Sequence, residues 1–433
     1  MSWGWWMAFT WGVSTSAYQI EGGVTEGGRG PSIWDTFTHE PGRVVDGSTG
    51  DVACDHWNRY GEDVELMADL GVSAYRFSVA WPRIQPDGTG PANPSGIAFY
   101  DRLTDALLEK GIDPVLTLFH WDLPQALEDR GGWRSRDTAY RFADYAGLVG
   151  AALGDRIRLW ITLNEPFIHM TLGYGTGEHA PGHPYLFGAL PVAHHQLLGH
   201  GLAVAALRDR GAAAVGITNN YTPVWPQGGT EADLAAAATY DALHNRLFTD
   251  PLLGRGYPEI GLDPTIVRDG DLDLIAAPLD ALGVNYYNPT GIRAPSSPDS
   301  PLPFDLVPLD GYPTTGFGWP VVPDGLRELL VGLRQEYGEA LPPIHVTESG
   351  CAYDGIDDPQ RVAYLEGHVQ AVRSAMEAGV DVRGYFVWSL LDNFEWAEGF
   401  TKRFGLVHVD FATQVRTPKT SYTWYRDLIR ADR

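Results

Sequence analysis

Apolar residues along the chain gather in eight short, β-rich runs, each followed by a stretch whose apolar positions recur with the period of a helix. The runs cover 11–16, 74–79, 114–119, 159–163, 215–218, 281–285, 344–347 and 384–389. The helical period is clearest at Phe142, Tyr145, Ala146, Val149 and Leu153, and again at Val362, Leu365, Val369, Val372 and Met376. Pro323 and Pro359 stand where a first helical turn accepts proline, and Gly111, Gly211 and Gly379 stand where a helix end favours glycine. Eight alternating strand and helix units predict a closed (β/α)8 barrel spanning residues 1–433 as one catalytic domain, rather than an open doubly wound sheet. The stretch 290–320, rich in Pro, Ser and Gly, is expected to be a loop at the barrel mouth.

In such a barrel the active site lies where the strands end, so the residues closing each run carry the functional information. Tyr18, Gln19 and Glu21 follow the first run; Arg76 lies in the second; His120, Trp121 and Asp122 follow the third. The fourth closes in Asn164 and Glu165, the fifth leads to Asn219 and Asn220, and the sixth to Asn285, Tyr286 and Tyr287. Glu348 follows the seventh, and Trp388 lies in the eighth. A polar residue at one strand end is an ordinary cap; polar groups at all eight, with carboxylates at the fourth and seventh, are not surface decoration. Two carboxylates at one rim suit glycoside hydrolysis, in which one protonates the leaving oxygen and the other attacks or activates water. The 15 tryptophans fit the same chemistry, because aromatic faces pack on the apolar faces of a pyranose.

Composition narrows the partners. With 31 basic and 55 acidic residues the net charge is −24, a field that repels nucleic acid and anionic lipid and leaves small molecules as the expected partners. No apolar run is long enough to cross a membrane. Cys54 and Cys351 have neither disulfide-framework nor zinc spacing. The first basic side chain is Arg29, so the N-terminus lacks the basic region of a signal peptide and a cytoplasmic location is expected. His179 and His183 lack a carboxylate at helical spacing, and neither a metal nor an organic cofactor is expected. The oligomeric state is not legible.

The motifs themselves are familiar. Ala-Tyr-Gln-Ile-Glu-Gly (17–22), Tyr-Arg-Phe-Ser (75–78), Phe-His-Trp-Asp-Leu-Pro (119–124) and Thr-Leu-Asn-Glu-Pro (162–166) resemble glycoside hydrolase family 1, the β-glucosidase family. So do Gly-Val-Asn-Tyr-Tyr (283–287), Val-Thr-Glu-Ser-Gly (346–350), Trp-Ser-Leu-Leu-Asp-Asn-Phe-Glu-Trp (388–396) and Arg-Phe-Gly-Leu (403–406). The resemblance implies a retaining exo-β-glycosidase, foremost a β-glucosidase with possible β-fucosidase or β-galactosidase activity, acting on cellobiose and on aryl or alkyl β-glucosides. It implies Glu165 as acid/base and Glu348 as nucleophile. Gln19, His120, Trp121, Asn164, Trp388, Glu395, Trp396 and Phe404 match sugar-binding positions, and Arg76, Asn285 and Tyr287 match positions around the nucleophile. His179, Asn220 and Trp319 fall on segments that line the family's aglycone entrance.

Two departures stand out. Ser349 follows the nucleophile where the family usually has Asn, and the opening Met-Ser-Trp-Gly-Trp-Trp is not its usual entry to the first strand. Two other readings compete: a 6-phospho-β-glycosidase on the same barrel, and a sugar-binding protein without turnover. The resemblance argues against the first, because phosphosugar members carry serine, lysine and tyrosine where Glu395 and Trp396 stand. Both carboxylates argue against the second. The mechanism requires Glu165 to be protonated as substrate arrives; burial and the nearby negative Glu348 would raise its pKa, and esterification of Glu348 would then release it as a base.

Overall fold

The computed structural model describes residues 9–433. The unusual opening segment therefore lies outside the described residues.

Eight parallel strands close a barrel in strict sequence order, β1 pairing with both β2 and β8. They are β1 (Thr10–Ser14), β2 (Ala74–Ser78), β3 (Asp113–Phe119), β4 (Leu159–Asn164), β5 (Val215–Asn220), β6 (Ala281–Asn285), β7 (Ile344–Ser349) and β8 (Val382–Trp388). Every run read from the sequence becomes one of them, with ends shifted by at most two residues. Helices pack outside. Phe142, Tyr145, Ala146, Val149 and Leu153 form the buried face of Arg136–Leu153. On Pro359–Glu377 the expected stripe drifts: Leu365, Val369 and Val372 are buried, but Val362 is half-buried and Met376 is exposed. Tyr364, His368, Ala371 and Ala375 complete that face, so residues of ambivalent polarity fill places that a purely apolar stripe cannot reveal. Pro323 and Pro359 open their helices, and Gly111, Gly211 and Gly379 all take the left-handed backbone of a helix end. No helix among the described residues is long and apolar enough to cross a membrane.

The barrel interior is graded along its axis, and the grading positions the site. Its floor is apolar: Ala74, Val115, Leu159, Ile161, Ala214, Ala281 and Phe386 form one buried cluster. Phe386 fits because Gly12 has no Cβ, which would lie 2.3 Å from the ring. Above the floor comes a layer of threonines, with Thr218 Oγ1 donating to Thr347 Oγ1 (3.3 Å) and Thr347 Oγ1 to Asn285 Oδ1 (2.7 Å). Gly283 makes room for it, since a Cβ there would stand 2.0 Å from Thr218 Oγ1. The carboxylates lie above this layer. The strands bearing them are irregular near those ends: the β4–β5 register shifts between Ile161 and Asn164, and the β6–β7 register between Val346 and Glu348. Such bulges bend a strand and re-aim its side chains.

The stretch expected as a plain mouth loop is partly ordered instead. Thr290–Arg293 and Asp305–Val307 pair with each other and, through Thr290–Arg293, with Val224–Pro226 in a three-stranded sheet. Strands of three or four residues are too short to carry a periodic signal, and their pairing partner lies some 65 residues upstream.

Candidate active site

A cavity of about 610 Å³ opens at the C-terminal rim of the barrel. Glu165 and Glu348 both line it, with His120, Trp121, His179, Asn220, Tyr287, Trp319, Trp388, Glu395, Trp396 and Phe404. Gln19, Asn164, Asn285 and Arg76 stand directly behind the wall, all buried and each bonded to a group that lines it or to another of the four.

Glu348 closes β7 with one donor on each oxygen. Arg76 Nη1 lies 2.6 Å from Oε1, and the Tyr287 hydroxyl donates to Oε2 at 2.7 Å. Arg76 is fully buried and its other nitrogens are occupied, Nε by Thr117 Oγ1 (3.2 Å) and Nη2 by Asn164 Oδ1 (2.6 Å). A charged and a neutral donor held rigidly are the surroundings that a carboxylate anion needs in a buried site. Burial and the Glu348 charge push the Tyr287 phenol well above its ordinary range, so it remains a donor.

Glu165 follows β4 with a left-handed backbone (φ 45°), and Trp121 and Trp396 share that sign at φ 78° and 51°. Strained residues persist only where their surroundings hold them, and here three gather at one cavity. Among the described residues no cation touches the Glu165 carboxyl. It accepts from Asn285 Nδ2 (2.8 Å) and Asn220 Nδ2 (2.9 Å), both on Oε1. Burial first, then the negative Glu348, push its pKa up to about 8, although the two amides and Arg76 oppose the shift. Asn285 was expected beside the nucleophile. It adjoins Glu348 in register, but Thr347 takes its carbonyl oxygen and turns the amide toward Glu165 and Asn164.

At the other end of the cavity the His120 ring lies nearly parallel to the indoles of Trp388 and Trp396, 5.8 Å from each. Its Nε2 accepts from Asn164 Nδ2 at 3.0 Å, and burial followed by Arg76 holds the ring well below its usual pKa. Gln19 Nε2 reaches Asn393 Oδ1, the Phe394 carbonyl and, at 3.3 Å, Glu395 Oε2. Glu395 is pushed up to about 8 by burial and by the Glu348 and Glu165 charges. His179 does more than line the entrance: its half-buried ring packs on Trp34 and Trp121, bracing the aromatic wall.

Trp319 stacks on Phe317 at 4.3 Å and abuts Tyr287, forming an aromatic face of the same cavity. The sequence reading passed over Phe317, although its place two residues before Trp319 was a signal. It also missed His244, which lies in a helical segment far from any strand end and gave none. Ser349 points out of the barrel, buried against the hydroxyls of Tyr364 and Tyr385 rather than lining the cavity. The register shift between Val346 and Glu348 lets the consecutive Thr347 and Glu348 both face inward, and Ser349, next in the chain, then faces the helix layer. The departure at Ser349 therefore lies outside the cavity lining.

Residues 5–433 match the family model described as glycosyl hydrolase family 1. The chain is 49% identical to thermostable β-glucosidase B of Thermobispora bispora, over 98% of this chain and 90% of that protein. It is 45% identical to a bifunctional β-D-glucosidase/β-D-fucosidase of Bifidobacterium breve, with 97% of each covered. The crystal structure of a psychrophilic β-glucosidase from Micrococcus antarcticus superposes with a TM-score of 0.94 at 46% identity, covering all of this chain and 98% of that one. With a closed eight-stranded barrel, two rim carboxylates and this agreement along its length, the chain belongs to glycosyl hydrolase family 1.

Proposed function

We propose that the whole chain acts as one catalytic unit, a β-glucosidase that removes unphosphorylated glucosyl residues from the non-reducing end of β-glucosides by double displacement. Glu348 attacks the anomeric carbon while Glu165 gives its proton to the leaving oxygen. Ester formation then neutralises Glu348, Glu165 becomes more acidic and deprotonates the incoming water, and the ester is cleaved with net retention. The observation that carries this reading is the asymmetry of the two carboxyls: one is paired with a buried guanidinium, whereas the other meets only amides and has a pKa near 8.

The aglycone leaves past Trp319, Phe317, His179 and Asn220. An aryl group fits the indole face, and a second glucose of cellobiose fits the mixed aromatic and amide wall. Among the described residues, no unpaired cation lines the cavity to meet a 6-phosphate. Lys402 is bonded to the Gly316 carbonyl, and Arg403 to the Val409 carbonyl. Arg43, at the cavity mouth, is paired with Glu40. Proton NMR of early hydrolysis of an aryl β-glucoside and its 6-phosphate tests the proposal. The β-anomer of free glucose should appear first, with the phosphorylated compound slower; early α-anomer, or preference for the phosphate, would overturn it.

A further inference from the structure

Asn220 and Asn285 place two N–H donors on one oxygen of Glu165. An O–H on that oxygen would point its hydrogen at theirs, so the acid proton belongs on Oε2. This ordering holds only while each amide presents nitrogen, not oxygen, to the carboxyl. Thr347 fixes Asn285 by donating to its Oδ1. For Asn220 the corresponding contact is His244 Nε2 on Oδ1, at 2.9 Å.

His244 is well placed for that task. The helix Glu231–Asp241 runs into a wider π-helical turn, Ala242–Arg246, whose extra residue changes the face on which His244 emerges. Its ring lies 4.0 Å from Phe167, two residues after Glu165, and 5.4 Å from Tyr240. Asn220 Oδ1 can only accept, so Nε2 carries the hydrogen and the Tyr240 hydroxyl, 3.1 Å from Nδ1, donates to that nitrogen. Burial holds the imidazole down to about 3, so this tautomer serves throughout the neutral range.

We propose that His244 is a positioning residue for proton delivery: by donating to Asn220 Oδ1 it keeps the Asn220 amide nitrogen on Glu165 Oε1 and so confines the acid proton to Oε2. The proposal rests on Glu165 being the acid/base. Without His244 the Asn220 amide is free to rotate its carbonyl toward Glu165. The proton then moves to Oε1 and hydrogen-bonds to Asn220 instead of facing the leaving oxygen.

The test replaces His244 with Phe, which keeps a ring against Phe167, and with Gln, which can still donate. With His244→Phe, kcat/KM should fall by about tenfold or more on an alkyl β-glucoside, whose leaving group needs the proton, and by less than about threefold on the 2,4-dinitrophenyl glucoside. The alkaline limb of kcat/KM should move upward, since a donor that favoured the charged carboxyl is lost; His244→Gln should restore most of both readings. Equal losses on both substrates, an unmoved alkaline limb, or Gln no better than Phe would show that His244 merely packs. If His244→Phe does not fold, the Gln variant carries the test alongside Asn220→Ala, in which the further change His244→Gln should have no effect on the alkyl substrate; an additional loss there would overturn the proposal. Failure of the parent reading looks different, because Glu165→Ala would then keep full activity on the alkyl glucoside.

Discussion

The two sides of the catalytic rim differ in what they offer a carboxyl group. On the β2–β7 side a guanidinium buried at the level of the threonine layer points upward, and Tyr287 closes over it, so Glu348 receives a cation and a hydroxyl. On the β4–β5–β6 side there are only amides, Asn220 and Asn285, and the negative Glu348 across the cavity. The same residue type thus stands in two electrostatic settings a few residues' width apart. Sequence position alone does not separate them: each follows an apolar run, and each is almost wholly buried, at 5% exposure for Glu165 and 3% for Glu348. The difference comes from which strand carries the arginine, and it divides one chemical group into an acid and a nucleophile.

Removing each of the two glutamates in turn is the strongest way to break the comparison. Glu348→Gly should lower turnover by roughly four or more orders of magnitude, because the covalent step disappears. Azide should then enter the vacated face and release the α-glycosyl azide. Glu165→Ala should cost about as much on alkyl glucosides but only about one to two orders on dinitrophenyl glucosides, whose departure needs no proton. Azide should here yield the β-azide. Identification of each azide by NMR checks both variants, and reversed products would mean that the two sides had been assigned the wrong way round.

Most of the scaffold of this site can be read in the chain, and the reasons for success and failure are physical. The strands are legible because parallel barrel strands are buried on both faces and form continuous apolar runs. The carboxylates are legible because polar residues that interrupt such runs at a common end need an explanation. Contacts made by the flanks of helices are different. His244 reaches Asn220 across 24 residues, from a π-helical turn that no local pattern announces. The tilt of Asn285 toward Glu165 likewise depends on a hydroxyl from the neighbouring strand, and the short strands of 290–320 on pairing with Val224–Pro226. Sequence periodicity reports which residues are buried, whereas these features depend on which buried group meets which.

A smaller effect sharpens the comparison through stability rather than rate. A carboxyl that keeps its proton in the folded protein up to a pKa of about 8, against an ordinary value of 4.5, binds more protons folded than unfolded between those values. Folding stability from this group is therefore fully present below about pH 4.5 and is lost as pH rises through about 8. Glu395 and Asp122, both raised to about 8 chiefly by burial, act with the same sign, while the buried neutral histidines act oppositely at acid pH. Melting temperatures of the intact protein mix these contributions, but a single variant isolates one. Glu165→Gln keeps the shape and the acceptor oxygen for Asn220 and Asn285 but has no proton to lose. Its melting temperature relative to the parent should rise steadily from pH 5 to pH 8. Glu348→Gln should instead be destabilised throughout that range, by about 3–5 kcal/mol, since it leaves Arg76 buried without its anion. Differential scanning fluorimetry across that range reads both variants; a Glu165→Gln difference that does not rise with pH, or a Glu348→Gln variant as stable as the parent, would mean that the two sides of the rim do not differ in the way their partners imply.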